Sequence, residues 1–103
     1  MVMQHDKRLA RSERFAWRVI EDEAVLVDRD EEEVLRLNLI ATEIWQALDG
    51  TRTVEEVIDH IHQCFDVDRR TAEKDVLRFV KELVTREMVE EGPTAARESR
   101  ERR

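Results

Sequence analysis

The first third of the chain contains three short apolar segments, Phe15–Ile20, Ala24–Val27 and Val34–Leu37. The first and the third alternate with the two-residue period of a half-buried strand, and Ala24–Val27 is continuously apolar and contains β-branched valines, which also favours a strand. The acidic run Asp28–Glu33 separates the last two segments. It is typical of a solvated turn and lacks the glycine and the spacing of a calcium-binding loop. The pattern predicts three antiparallel strands in meander order.

From Asn38 onward the apolar period lengthens to three or four residues, which indicates helices. Asn38 can cap a first helix that Asp49-Gly50 would end. Thr53 followed by Glu56 has the capping-box spacing and starts a second helix. Asp68 is a candidate cap for a third helix. The order βββααα predicts an α+β domain with a three-stranded antiparallel sheet, similar to winged helix-turn-helix architecture.

The third predicted helix carries two kinds of side chain beside its core stripe, which comprises Ala72, Val76, Phe79 and Leu83. A projection at about 100° per residue places an apolar margin, and next to it a basic stripe, at one side of the stripe. The margin comprises Leu77, Val80 and Val84, and the basic stripe Arg70, Lys74, Arg78 and Lys81. This arrangement suits a groove for an acidic, partly apolar peptide. The alternative is a wide core stripe beside a solvated cationic face.

Composition narrows the class of protein. The chain has 103 residues, enough for one domain, with 41% hydrophobic and 42% charged residues. Its net charge of −7 argues against a general nucleic-acid binder, and no apolar run is long enough to cross a membrane. We expect a flexible segment over residues 1–13, a domain over 14–91 and a disordered tail over 92–103.

Few residues suggest chemistry. His60 and His62 point about 200° apart on a helix, so no shared metal is expected. Cys64, the single cysteine, is expected near the core as an inert packing residue in a reducing, cytoplasmic setting. No catalytic arrangement and no phosphate loop has motif-grade spacing. The sequence therefore predicts no enzyme activity, metal or cofactor.

Two segments carry a family resemblance. Leu37–Trp45 is similar to an LNxxAxxIW segment, and Leu48–Ile58 is similar to an L-D-G-x-x-T-x-x-E-I stretch. Both occur in the PqqD-like family, which comprises PqqD and related recognition elements for ribosomally made, modified peptides. The resemblance covers roughly residues 15–89. Glu87 occupies the position at which many family members have a glycine that ends the third helix. The left-handed cap is therefore not expected here.

The resemblance implies a non-catalytic adaptor that binds the leader segment of a precursor peptide as an extra strand. Carried onto this sequence, the pairing edge is Val34, Leu35, Arg36 and Leu37. The cleft wall is Leu77, Val80 and Val84 with the basic stripe of the third helix. The implied partners are the leader peptide and a separate modifying enzyme, often a radical SAM enzyme of the SPASM type. A monomer is expected.

Two other functions fit parts of the pattern. The basic stripe of the third helix could read a DNA groove, as in a winged-helix regulator, although the net charge opposes this. A free strand edge could also pair with a second copy of the chain in a homo-oligomeric scaffold.

Overall fold

The structure is a computed structural model that describes residues 5–91, in which six strands and three helices are formed. The elements are β1 Arg8–Arg11, β2 Phe15–Ile20, β3 Glu23–Asp28, β4 Glu33–Arg36, α1 Leu39–Ala47, β5 Asp49–Thr53, α2 Val54–Cys64, α3 Arg69–Thr85 and β6 Val89–Glu91. The predicted α+β class, its three-stranded meander and its three helices are confirmed. The proposed tail over 92–103 lies outside the described residues.

Strands β2, β3 and β4 form one antiparallel sheet in that order. Trp17, Leu26 and Leu35 lie side by side across it and face the core, as strand alternation requires. The neighbouring row contains Val27 and Val34, which pair with each other and are exposed on the opposite face. One face of the sheet is therefore packed and the other is open to solvent.

A second sheet, with order β5-β1-β6, was not predicted from the sequence. The expectation that residues 1–13 are flexible is wrong for Arg8–Arg11, which forms the central strand β1. Leu9 anchors this strand, because its side chain is buried in the core together with Val89 of β6. Residues 1–4 lie outside the described part of the chain.

All three predicted helix caps are confirmed. The Asn38 side chain accepts a hydrogen bond from the Ala41 amide at 2.8 Å, and Asp68 accepts one from Thr71 at 2.8 Å. Thr53 and Glu56 form both bonds of the capping box. The caps set where each helix begins and therefore which side chains face the core.

The end of α1 is held by a residue from β1. The Arg11 guanidinium donates to the carbonyls of Trp45 and Gln46, each at 2.9 Å, and lies over the Trp17 ring. A cation at a helix C-terminus complements the helix dipole. Asp49-Gly50 does follow the end of this helix, but these residues continue into β5.

Trp45 lies at the centre of the core. Its ring is fully buried and meets Phe15 and Trp17 in edge-on contacts, with centroids 6.4 and 6.3 Å apart. The core brings together the inner face of the β2–β3–β4 sheet and buried side chains from all three helices. The helices are thereby fixed against one face of that sheet.

The acidic turn is not uniformly solvated as expected, because Asp28 is 2% exposed. Its carboxylate accepts hydrogen bonds from both Arg14 nitrogens Nε and Nη2, at 3.1 and 3.2 Å, and from the amides of Asp30 and Glu31. Burial acts to raise the pKa of Asp28, but these donors outweigh it and hold the pKa below its ordinary value. Asp28 is thus a structural anchor of the turn.

Two other expectations need correction. Glu87 has φ of 59°, so α3 does end in a left-handed residue although no glycine is present. Cys64 is exposed, because it lies on the last turn of α2 and points away from the core. In the part of the chain that the structure describes, no helix has the length and apolar character needed to span a membrane.

Candidate functional site

Strand β4 is an edge strand, since within residues 5–91 its one neighbour is β3. The Leu37 amide donates to the Ala24 carbonyl at 2.9 Å, so Leu37 and, by alternation, Leu35 direct their backbone groups at β3. The N–H and C=O groups of Val34 and Arg36 therefore point away from the sheet. These backbone groups can pair with an added strand.

The side chains of this edge divide between the two faces of the sheet. Leu35 and Leu37 are partly buried and pack against the core. Val34 and Arg36 point to the open face, where Val34 is 61% exposed. An added strand would therefore find apolar side chains on the core side and an exposed valine on the other.

Helix α3 approaches the start of β4 with its end and the start of α1 with its middle. Arg86, at the helix end, lies 3.5 Å from the carboxylate of Glu33, the first residue of β4. One to three turns earlier, α3 borders the start of α1 across a groove of about 260 Å³. The groove is lined by Asn38, Ile40, Ala41, Ile44, Asp75, Arg78, Phe79 and Glu82. It begins two residues beyond the end of β4.

The groove combines an apolar floor with charged sides. Ile40, Ile44 and Phe79 supply the apolar surface. Arg78 lies 3.8 Å from Asp75, one turn away on the same helix. Glu82 lies 4.0 Å from Arg86. Since both signs of charge are present and partly paired, apolar anchors are the main contribution this groove can make to binding.

The residues of α3 that the sequence predicted to bind the peptide do not all lie at the groove. Arg78 lines the groove, and Val80 is fully buried, out of reach of any ligand. The other predicted residues lie about 90–170° around the helix from the centre of the groove-lining residues, by the period of about 100° per residue. They are Arg70, Lys74, Leu77, Lys81 and Val84. Their contact with a peptide stays a prediction, and the geometry favours the opposite flank.

The groove includes residues that the sequence did not single out as binding residues. On α3 these are Asp75, Phe79 and Glu82, and on α1 they include Ile40. Phe79 appears in the sequence as part of the core stripe, and it does pack partly against the core. In the sequence, the one feature that could have indicated the groove was the apolar character of Ile40 and Phe79 at the margins of their helices.

A separate group of potential metal ligands lies away from the groove. Glu43 of α1 and His60 and Cys64 of α2 bring a carboxylate oxygen, an imidazole nitrogen and a sulfur within 4.8 Å of one another. His62, by contrast, contacts the Val67 carbonyl at 3.0 Å. The two histidines therefore diverge as the sequence predicted, but Glu43 and Cys64 lie beside His60 as further potential ligands that the sequence did not single out.

Comparisons with known proteins concern the fold and the family of the chain. Two solved structures share the fold with a TM-score of 0.71 each. TbiB1 in complex with the TbiA(beta) leader peptide is 30% identical, over 79% of this chain and 94% of that one. Lasso peptide synthetase B1 complexed with the leader peptide is 23% identical, over 81% and 98%. No curated protein matches. Residues 23–89 match the model of the family described as Coenzyme PQQ synthesis protein D, and the chain belongs to this PqqD family.

Proposed function

We propose that this protein binds the leader segment of a ribosomally made precursor peptide and presents the peptide to a separate modifying enzyme. The observation that carries the proposal is the free edge of β4 beside the α1–α3 groove. TbiB1, 30% identical over most of both chains, is described in complex with a leader peptide. Membership of the PqqD family supports the same function.

The binding mode is addition of a strand to the sheet. The leader pairs with the backbone groups of Val34 and Arg36, and its apolar side chains enter the groove floor formed by Ile40, Ile44 and Phe79. About four backbone bonds at roughly 1 kcal/mol each, with two or three apolar anchors and the cost of association, correspond to about micromolar affinity.

The role in modification is that of an adaptor. Holding the leader raises the effective concentration of the rest of the precursor at the enzyme, so catalysis belongs to the partner. The family resemblance favours a radical SAM enzyme as that partner and pyrroloquinoline quinone or another modified peptide as the product. No catalytic role is assigned to a residue of this chain.

The two alternatives have weaker support. The DNA-binding alternative is not supported by the comparisons, and on α3 Arg78 is paired with Asp75 while the chain carries a net charge of −7. Pairing of β4 with a second copy would compete with leader binding for the same edge. Light scattering across concentrations is expected to show a monomer.

A proline substitution tests the proposed edge. Val34→Pro removes an amide that does not bond to β3, so the fold is expected to persist while one bond to the leader is lost. With a synthetic leader segment of a candidate precursor peptide that binds the wild type, calorimetry is expected to show affinity lower by about tenfold or more in Val34→Pro. Val19→Pro, at the other edge of the same sheet, is the matched control and should leave affinity unchanged.

Amide hydrogen exchange is a second, independent test of the proposed pairing edge. In the free protein, the Val34 and Arg36 amides should exchange faster than those of Leu35 and Leu37, and leader binding should slow both. Unchanged affinity in Val34→Pro, or equal losses in both proline variants, would contradict the proposed site. Full protection of Val34 and Arg36 before leader addition would do the same.

A further inference from the structure

We propose that Glu43, His60 and Cys64 form a zinc site that joins α1 to α2. His60 and Cys64 are one turn apart on α2, a spacing that places two side chains on the same side of a helix. Glu43 reaches them from α1. The inference stands apart from leader binding, since none of the three residues lines the peptide groove.

The three ligand atoms lie close together at the surface between α1 and α2. The Cys64 Sγ atom lies 3.6 Å from Nε2 and 3.8 Å from Nδ1 of His60. The Glu43 Oε2 atom lies 2.8 Å from His60 Nε2. All three ligand atoms fall within 4.8 Å of one another.

These separations can be compared with tetrahedral zinc. Bonds of about 2.0–2.1 Å to nitrogen and about 2.3 Å to sulfur place N and S about 3.6 Å apart, which is the distance between His60 Nε2 and Cys64 Sγ. Because Sγ also lies 3.8 Å from Nδ1, the Cys64 side chain must rotate away from Nδ1 for both residues to bind one ion through Nε2. The same geometry places N and O about 3.4 Å apart, so the Glu43–His60 contact must lengthen by about 0.6 Å. Both of those side chains are partly exposed, and a small side-chain rotation achieves this.

The chemistry of the ligands selects the metal. A thiolate, an imidazole and a carboxylate together suit a cation of borderline softness such as Zn²⁺, whereas Mg²⁺ and Ca²⁺ favour oxygen ligands alone. Three protein ligands leave a fourth position, which water fills. Binding releases the thiol proton to solvent, breaks the Glu43–His60 hydrogen bond and leaves the remaining imidazole proton on Nδ1.

Packing does not account for all three residues. A hydrogen bond explains the contact between Glu43 and His60 and leaves Cys64 without a role. Cys64 is exposed, so its thiol makes no core contact that would explain its presence and is reachable from solvent. A metal site gives a function to each of the three side chains.

Cobalt substitution tests the site directly. The full chain is titrated with Co²⁺, and absorption is expected to show a thiolate-to-cobalt charge-transfer band and tetrahedral d–d bands that stoichiometric Zn²⁺ abolishes. Because Cys64 is the single cysteine, the charge-transfer band reports on this site alone. Cys64→Ser should abolish the band, and His60→Gln and Glu43→Gln should each lower Co²⁺ affinity by about 10-fold or more.

His62→Gln is the matched control, because it removes an imidazole from the same helix that points elsewhere. It should leave the spectrum and the affinity unchanged, and circular dichroism checks that each variant is folded. Absence of the charge-transfer band, wild-type Co²⁺ affinity in His60→Gln or Glu43→Gln, or Co²⁺-dependent dimerisation seen by light scattering would overturn the proposal. A rise in melting temperature with Zn²⁺ that Cys64→Ser removes would support it.

Discussion

Arg86 and Glu33 join the end of helix α3 to the beginning of strand β4, with 3.5 Å between guanidinium and carboxylate. Both side chains are about half exposed, so the pair contributes only about 0–1 kcal/mol to stability. Its position matters more than its strength. A leader strand that pairs with Val34 has to pass beside this contact.

We expect Arg86→Ala to speed leader association by up to about fivefold, because the contact across the β4 edge is removed at a cost of no more than about 1 kcal/mol. Stopped-flow mixing measures the association rate, and urea unfolding measures the free energy of unfolding. Lys81→Ala removes a cation from the far flank of the same helix and should change neither. Slower association in Arg86→Ala would show that Arg86 contributes to binding rather than obstructing it.

Phe79 and Leu77 distinguish the two flanks of α3. Both are partly buried and pack against the core, but Phe79 alone lines the groove. Truncation of either to alanine should lower the free energy of unfolding by about 1–3 kcal/mol. Only Phe79→Ala is expected to weaken leader binding, by about tenfold, in calorimetry at a temperature where both variants are folded. Weaker binding in Leu77→Ala alone would show that the leader binds on the flank of α3 that the sequence predicted.

That difference shows what a helix projection can and cannot predict. The stripe containing Val76 and Leu83 is evident from the sequence because its period is that of a helix, and the structure buries it. Two flanks border such a stripe, and periodicity does not say which one faces the rest of the site. The position of α1, which carries Ile40, decides this, and it is a tertiary contact.

The second sheet could not be predicted from the sequence, for a related reason. Strand β5 has no large apolar residue between Asp49 and Thr53, and β6 has three residues. Arg8 pairs with Thr53 and Leu9 with Glu91, so each pairing joins segments far apart in the chain. Local alternation cannot reveal such pairs. The meander from Phe15 to Arg36 was predictable because its partners are sequential and its apolar faces are clear.

The Asp28 carboxylate should make stability depend on pH in the acid range. Because its folded-state pKa is depressed, its contribution is fully present above the unfolded value, about 3.9, and is lost as pH falls through the lower folded value. Asp28→Asn should therefore be less stable than the wild type at neutral pH, and the difference should shrink below about pH 4. Urea unfolding across this range measures it.

The matched control for this measurement is Asp66→Asn, which alters an exposed carboxylate in the loop between α2 and α3. Its unfolding free energy should follow that of the wild type at each pH. A difference between Asp28→Asn and the wild type that stays constant down to the acid limit would mean that the lost interaction does not depend on the charge of Asp28.

Glu87 ends α3 in a Schellman motif without glycine. Its amide donates to the Val84 carbonyl at 3.0 Å, and the amide of buried Met88 donates to Leu83 at 2.8 Å. The left-handed backbone costs a residue with a Cβ atom about 1–2 kcal/mol, partly offset by the greater chain entropy of glycine when unfolded. Glu87→Gly should therefore raise the free energy of unfolding by about 0.5–1 kcal/mol. Lys81→Gly, within the helix, should lower it by about 1 kcal/mol. A loss of stability in Glu87→Gly would show that the Glu87 side chain contributes more than its backbone strain costs.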